Sequence, residues 1–246
     1  MTKIFRKRMH SILSILYPPR CPGCDEILYK KGQWERPKIC VKCEGGLSFI
    51  HQPACQKCGK QLEYEEIEYC HDCTAKKHYF DRGIAAFDYS TVMKRSMYEF
   101  KYNNRREYAR YYADVIVNNW VHLIKLWNAD VLIPVPVSRE RFRKRGYNQA
   151  EVLAVELSER LDIPVDKQYL IRVKNTLPQK NLNDKERQDN LNKAFQIVGN
   201  SVKYNKIIII DDIYTTGATI DECARILKNN GARKVFFIAA CIGHGF

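Results

Sequence analysis

Eight of the ten cysteines form four Cys-x-x-Cys pairs, Cys21/Cys24, Cys40/Cys43, Cys55/Cys58 and Cys70/Cys73, with gaps of fifteen, eleven and eleven residues between them. A Cys-x-x-Cys turn places two thiolates on one side of a metal, and two such turns complete the tetrahedral four-sulfur shell of a closed structural zinc site. Eight ligands therefore predict two zinc ions. Pairing neighbours closes the shortest loops, giving Cys21, Cys24, Cys40 and Cys43 to one ion and Cys55, Cys58, Cys70 and Cys73 to the other. Spacing alone leaves an interleaved pairing open. His51, His71 and His78 lie near these pairs, but each site already has four sulfurs, so the histidines are expected at the surface. The remaining Cys223 and Cys241 are expected as small core residues, one on a helix and one on a strand.

A second group of chemically capable residues lies far down the chain. The aliphatic run 207–210 is followed by Asp211-Asp212-Ile213-Tyr214-Thr215-Thr216-Gly217-Ala218-Thr219. Adjacent carboxylates at a strand end can hold sugar hydroxyls or, through water, a Mg²⁺ ion. Small hydroxyl residues around a glycine at a helix start present backbone N–H groups and a favourable dipole to a phosphate. The combination suits a ribose 5-phosphate. The lysine of a Walker loop and the three-glycine spacing of a dinucleotide fold are both missing. Upstream, Arg139, Arg141, Arg143, Lys144 and Arg145 put five cations into seven residues. Such a run suits pyrophosphate or a nucleic-acid backbone, or is simply a solvated basic loop.

The elements that must position these groups alternate. Residues 83–89 and 131–133 read as buried strands, and 207–210 and 235–241 as all-apolar ones. Apolar residues at helical spacing mark 108–127, and Ala150, Leu153, Ala154, Leu157 and Leu161 mark the face of another helix. A further helix is expected over 219–230, stopped by Gly231. Strands alternating with helices imply a parallel sheet covered by helices, with ligands at the carboxyl ends of its strands. Residues 20–78 contain few aliphatics, so metal rather than a hydrophobic core is expected to hold them. The chain thus divides into a basic and apolar N-terminal segment (1–19), a cysteine-rich unit (20–78) and an α/β unit (80–246).

Composition narrows the function classes. Of 246 residues, 41 are Lys or Arg and 28 Asp or Glu, a net charge of +13 that favours polyanionic partners. No stretch without a formal charge exceeds twelve residues, whereas a membrane helix needs about 18 or more apolar residues. No membrane span is expected, and the basic N-terminus lacks a small-residue cleavage site, so a cytoplasmic protein is expected. Between 89 and 112, seven aromatic residues interleave with six cations. This pattern serves single-stranded nucleic acid, although several of the tyrosines fall on the face of helix 108–127 that is expected to be buried.

The run IIIIDDIYTTGAT at 207–219 resembles, over its full length, the thirteen-residue phosphoribosyl-pyrophosphate (PRPP) motif of type I phosphoribosyltransferases. With the four Cys-x-x-Cys pairs in front of it, the chain resembles the ComF family of competence proteins from about residue 15 to 241. Agreement extends to Leu16-Tyr-Pro-Pro-Arg-Cys, Phe100-Lys-Tyr, Ile133-Pro-Val-Pro, Arg145-Gly-Tyr-Asn-Gln and the spaced Gln179, Leu182, Arg187, Asn190 and Phe195.

The resemblance implies an α/β fold: a parallel-sheet type I phosphoribosyltransferase-like domain behind a small N-terminal double zinc ribbon. It implies that Asp211 and Asp212 face the ribose hydroxyls and Mg²⁺, while Thr215, Thr216, Gly217, Ala218 and Thr219 cradle the 5-phosphate. The arginine-rich run stands where such enzymes carry a pyrophosphate loop. Residues 175–195, with Lys180, Lys185 and Arg187, stand where they carry a flexible catalytic loop, and Arg187 is the catalytic candidate there. The function implied is DNA uptake during natural transformation with Mg²⁺–PRPP bound. The alternative is a non-catalytic module that senses PRPP or binds single-stranded DNA beside a ComFA-type helicase.

Overall fold

The computed structural model describes residues 18–29, 37–173, 194–199 and 203–243. Four strands, β1 (Arg82–Asp88), β2 (Val131–Pro134), β5 (Lys206–Tyr214) and β6 (Lys234–Ile242), form one sheet in the order β1-β6-β5-β2, with every pairing parallel. Ile207 to Ile210 and Val235 to Ile242 are buried throughout, as expected for central parallel strands with both faces covered. A short antiparallel pair, β3 (Leu170–Arg172) with β4 (Phe195–Ile197), stands apart from this sheet.

Helices cover the sheet. Between β1 and β2 run α3 (Thr91–Tyr102) and α4 (Tyr108–Trp127), and between β2 and β3 run α5 (Arg139–Arg145) and α6 (Gln149–Leu161). Helix α7 (Ala218–Asn229) joins β5 to β6. The periodicity of α4 matches its packing: Tyr108, Tyr112, Ile116, Trp120, Ile124 and Trp127 are buried. The Trp127 ring lies flat on Phe236 at 4.6 Å, and the Trp120 indole N–H donates to the Ala85 carbonyl.

The arginine-rich segment forms a helix where a loop was expected. Ser138 caps α5 by accepting the Arg141 N–H, Glu140 sits in its first turn, and three cations fill its last turn before Gly146 turns left-handed. Each feature favours a helix by its position.

The cysteine-rich segment contributes the short helices α1 (Val41–Glu44) and α2 (His71–Ala75). Its second half joins the sheet. The Ile50 N–H donates to the Ala86 carbonyl, the Asp88 N–H to Ser48, and the Gly83 N–H to Lys57. At the last of these contacts the approach is close because Gly59 and Gly83 lie against each other. A Cβ on Gly59 would stand 2.8 Å from the Gly83 carbonyl oxygen, and one on Gly83 would fall inside the Phe237 ring. Among the described residues no helix is long and apolar enough to cross a membrane.

Candidate functional site

The eight paired cysteines converge in sequential quartets. Cys21, Cys24, Cys40 and Cys43 form one and Cys55, Cys58, Cys70 and Cys73 the other, with all four sulfurs of each within 4.8 Å of one another. Sγ separations are 3.6 Å for Cys21–Cys40, 3.8 Å for Cys24–Cys40 and 3.6 Å for Cys58–Cys70. The edge of a tetrahedron with zinc–sulfur bonds of about 2.3 Å is roughly 3.8 Å, so the quartets fit zinc. Thiols this crowded cannot all ionise alone: the hydrogen bond between Cys55 and Cys58 drives the first down and the second up in pKa. A dication removes that conflict.

At the carboxyl end of β5, Asp211 and Asp212 stand side by side, and the Asp212 N–H donates to Asp211 Oδ1 at 2.8 Å. Burial and the charge of Asp212 push Asp211 up to about 7, against the pull of Lys101 and Arg141. Asp212 Oδ1 is 2.8 Å from Lys101 Nζ, with the two side chains 13% and 17% exposed. Burial works against the Lys101 ammonium, but Asp212 more than offsets this and raises its pKa. Lys101 gets there because α3 starts just beyond β1, whose end is tied to β6 by the Tyr89 N–H donating to Ile242. The strands are parallel, so this is also the edge where β5 ends.

Beyond the carboxylates the chain turns through exposed Thr215 and Thr216 to buried Gly217. Gly217 has φ +77°, and a Cβ there would stand 2.5 Å from the Tyr214 hydroxyl. No side chain caps α7, so its first-turn N–H groups are available to an anion. Behind this loop Tyr214 stacks on Phe237 at 4.7 Å, and Phe80 meets both rings edge-on.

The double zinc ribbon domain model matches residues 12–74, and the phosphoribosyl transferase domain model matches 147–244. Competence protein F of Haemophilus influenzae is 31% identical over 216 residues, spanning 80% of this chain and 93% of that protein. The chain belongs to the ComF family. Competence protein ComFC of Bacillus subtilis is 30% identical over 79% of each chain. DNA utilization protein YhgH of Escherichia coli K12 is 26% identical over 85% of this chain and 91% of its own. Among solved structures, a purine phosphoribosyltransferase from Pyrococcus horikoshii Ot3 is similar at 17% identity and a TM-score of 0.33, covering 55% of this chain and 82% of that one.

In this ComF-family chain the arginine-rich helix divides in two. Arg141 is close enough to act on the charge of Asp211. Arg145 acts on Lys101, donates to the Tyr102 hydroxyl at 3.4 Å and lies over the Tyr102 ring. Arg139, Arg143 and Lys144 line an open surface groove with Glu140. Arg187, Lys180 and Lys185 lie outside the described residues, as does the N-terminal segment 1–17.

The tyrosine-rich stretch also divides. Tyr108 and Tyr112 are core, as helical spacing required, whereas Tyr98 and Tyr102 are exposed and pair at 5.1 Å. Cys223 and Cys241 are buried, as expected.

His51 and His71 are exposed, but His78 is not a surface residue. Its side chain is 2% exposed, stacks on Phe80 at 4.8 Å and places Nδ1 2.6 Å from the Asp221 carboxylate in the first turn of α7. The Tyr79 N–H donates to the same carboxylate. Cysteine spacing carries no signal for this contact, because the partner comes from the far end of the chain. Lys101 was visible only within Phe100-Lys-Tyr and among the cations near the tyrosines, and neither pattern pairs it with Asp212. Arg172, whose charge reaches Asp211, gave no sequence signal.

Proposed function

We propose that this chain binds Mg²⁺–PRPP at residues 211–219 and acts in handling DNA during natural transformation. The observation that carries the reading is an uncapped helix N-terminus behind a left-handed glycine, directly after two carboxylates at a parallel-strand end. Thr215 through Thr219 would take the 5-phosphate on backbone N–H groups and hydroxyls. Asp211 and Asp212 would orient the ribose hydroxyls and hold Mg²⁺ through water. Arg141, whose charge acts on Asp211, and Arg145, whose charge acts on Lys101, would receive the pyrophosphate. Mg²⁺, when bound, neutralises the diphosphate and favours its departure.

Calorimetric titration of Mg²⁺–PRPP into the zinc-loaded chain tests this reading. Binding by the wild type, abolished by Asp211→Asn with Asp212→Asn, is expected; a folded wild type that takes up no PRPP overturns it.

A second reading has its own observation: Tyr98 and Tyr102 stay exposed beside Lys144 and Arg145, whose cations lie over Tyr102. Exposed rings flanked by cations suit single-stranded DNA. In that reading the chain works in the cytoplasm with a ComFA-type helicase, and the carboxylate substitutions spare DNA binding.

A further inference from the structure

Two neighbouring carboxyls and one ammonium meet at the end of β5, and their charges do not balance in a site meant for a dication. If Lys101 stayed on Asp212, only Asp211 would remain to hold a metal. Without Lys101, Asp212 would lose its ion-pair partner while a second carboxylate stands next to it in the chain. The 2.8 Å contact between Lys101 Nζ and Asp212 Oδ1 answers the second difficulty in the free protein. The flexible four-carbon stem of lysine, with its point charge, lets it answer the first by moving.

We infer that Lys101 is an exchangeable counter-ion: its ammonium holds Asp212 in the free site, yields that carboxylate to an arriving dication, and transfers to the phosphates of the sugar diphosphate. No bond is made or broken; one cation replaces another on Asp212, and the displaced one neutralises part of the incoming polyanion.

Lys101 lies on the last turn of α3, and that turn is fastened to its surroundings on both sides. The Tyr147 hydroxyl donates to the Phe100 carbonyl, and Arg145 holds Tyr102. The helix end stays in place while the lysine side chain swings. Lys101 is thus a ligand-binding residue drawn from outside the phosphate loop. The phosphate half of the inference rests on the reading of 211–219 as a PRPP site, whereas the dication half does not.

The test uses the zinc-loaded full chain and two titrations, Mg²⁺ alone and PRPP in saturating Mg²⁺, each followed by calorimetry. Lys101→Met removes the competing cation and the phosphate contact together. It is expected to bind Mg²⁺ alone about five-fold more tightly and PRPP about ten-fold more weakly. Lys101→Arg keeps the charge and is expected to return PRPP affinity to within about two-fold of wild type. Lys101→Gln, which keeps a donor for Asp212, is expected to show the same split as the methionine variant and replaces it if that variant does not fold.

A structural ion pair would move both affinities the same way or neither. Mg²⁺ affinity unchanged or lowered without the lysine overturns the inference. A wild type that binds no PRPP overturns the proposed function instead, and the Mg²⁺ titration still decides about Lys101.

Discussion

The two cysteine quartets have the same ligands and nearly the same spacing, yet they are attached to the rest of the molecule by different physics. Cys55, Cys58 and Cys70 belong to the main hydrophobic core, together with Ile50, Phe80 and Phe87. Backbone hydrogen bonds run from that ribbon to β1, and His78 and Tyr79 carry it to α7. Cys21 and Cys43 form a separate small cluster with Leu28 and Ile39. That cluster is fastened chiefly by side chains: Asp25 takes Arg105 and Tyr108, Asp114 takes Lys38, and Arg95 reaches the Cys24 carbonyl. One metal motif therefore serves as part of a core in one copy and as a docked accessory in the other. Metal geometry fixes a knuckle internally but says nothing about how it is mounted.

The largest expected effect comes from breaking the mounted-in-core copy. Cys58→Ser should lose one zinc by metal analysis and lower the unfolding free energy of the sheet by about 3 kcal/mol or more, because the metal is lost and a polar hydroxyl is buried within the core. Cys43→Ser should lose one zinc as well but cost the sheet only about 1 kcal/mol. Thermal unfolding followed by tryptophan fluorescence reports on the sheet, since Trp120 and Trp127 pack against it. Equal losses from the two variants would erase the distinction.

Asp25 gives the intermediate effect. Burial tends to raise its pKa, but Arg105 and Tyr108 hold the carboxyl below its ordinary 3.8. A depressed carboxyl pKa contributes stability above the unfolded value, and that contribution is lost as pH falls through the folded value. The first ribbon should therefore loosen below about pH 4, as amide exchange within it would show. Asp25→Asn should cost about 1–2 kcal/mol at pH 7 and weaken that acid dependence, leaving the part carried by Asp114. Smallest of all, Lys38→Met should change stability by less than about 0.5 kcal/mol, since Lys38 is 66% exposed in its pair with Asp114. A larger loss by thermal unfolding would show that single surface pairs carry the first ribbon.

Local chemistry was legible in the sequence. Cys-x-x-Cys spacing announced eight metal ligands, with loop length favouring the sequential pairing but leaving an interleaved one open, and the all-apolar runs announced β5 and β6, because these signals lie within a few residues of each other. The carboxylate pair and Gly217 were legible for the same reason. What could not be read is what the sheet order brings together. Lys101 meets Asp212, and His78 meets Asp221, only once β1 lies beside β6 and β6 beside β5. The helix at 139–145 was hidden differently, since a run of five cations looks the same in a loop until the cap at Ser138 is seen.

Gly83 has its amide bonded to the second ribbon, the backbone of Gly59 close against its carbonyl, and the ring of Phe237 covering its α-carbon. This fixes an order of events for any lineage descending from this sequence. A side chain cannot appear at 83 until the ring at 237 has been given up, and one cannot appear at 59 until the backbone of 83 and 84 has moved away. Positions 83 and 237 should therefore drift together, while 59 stays glycine for as long as the ribbon is seated on β1.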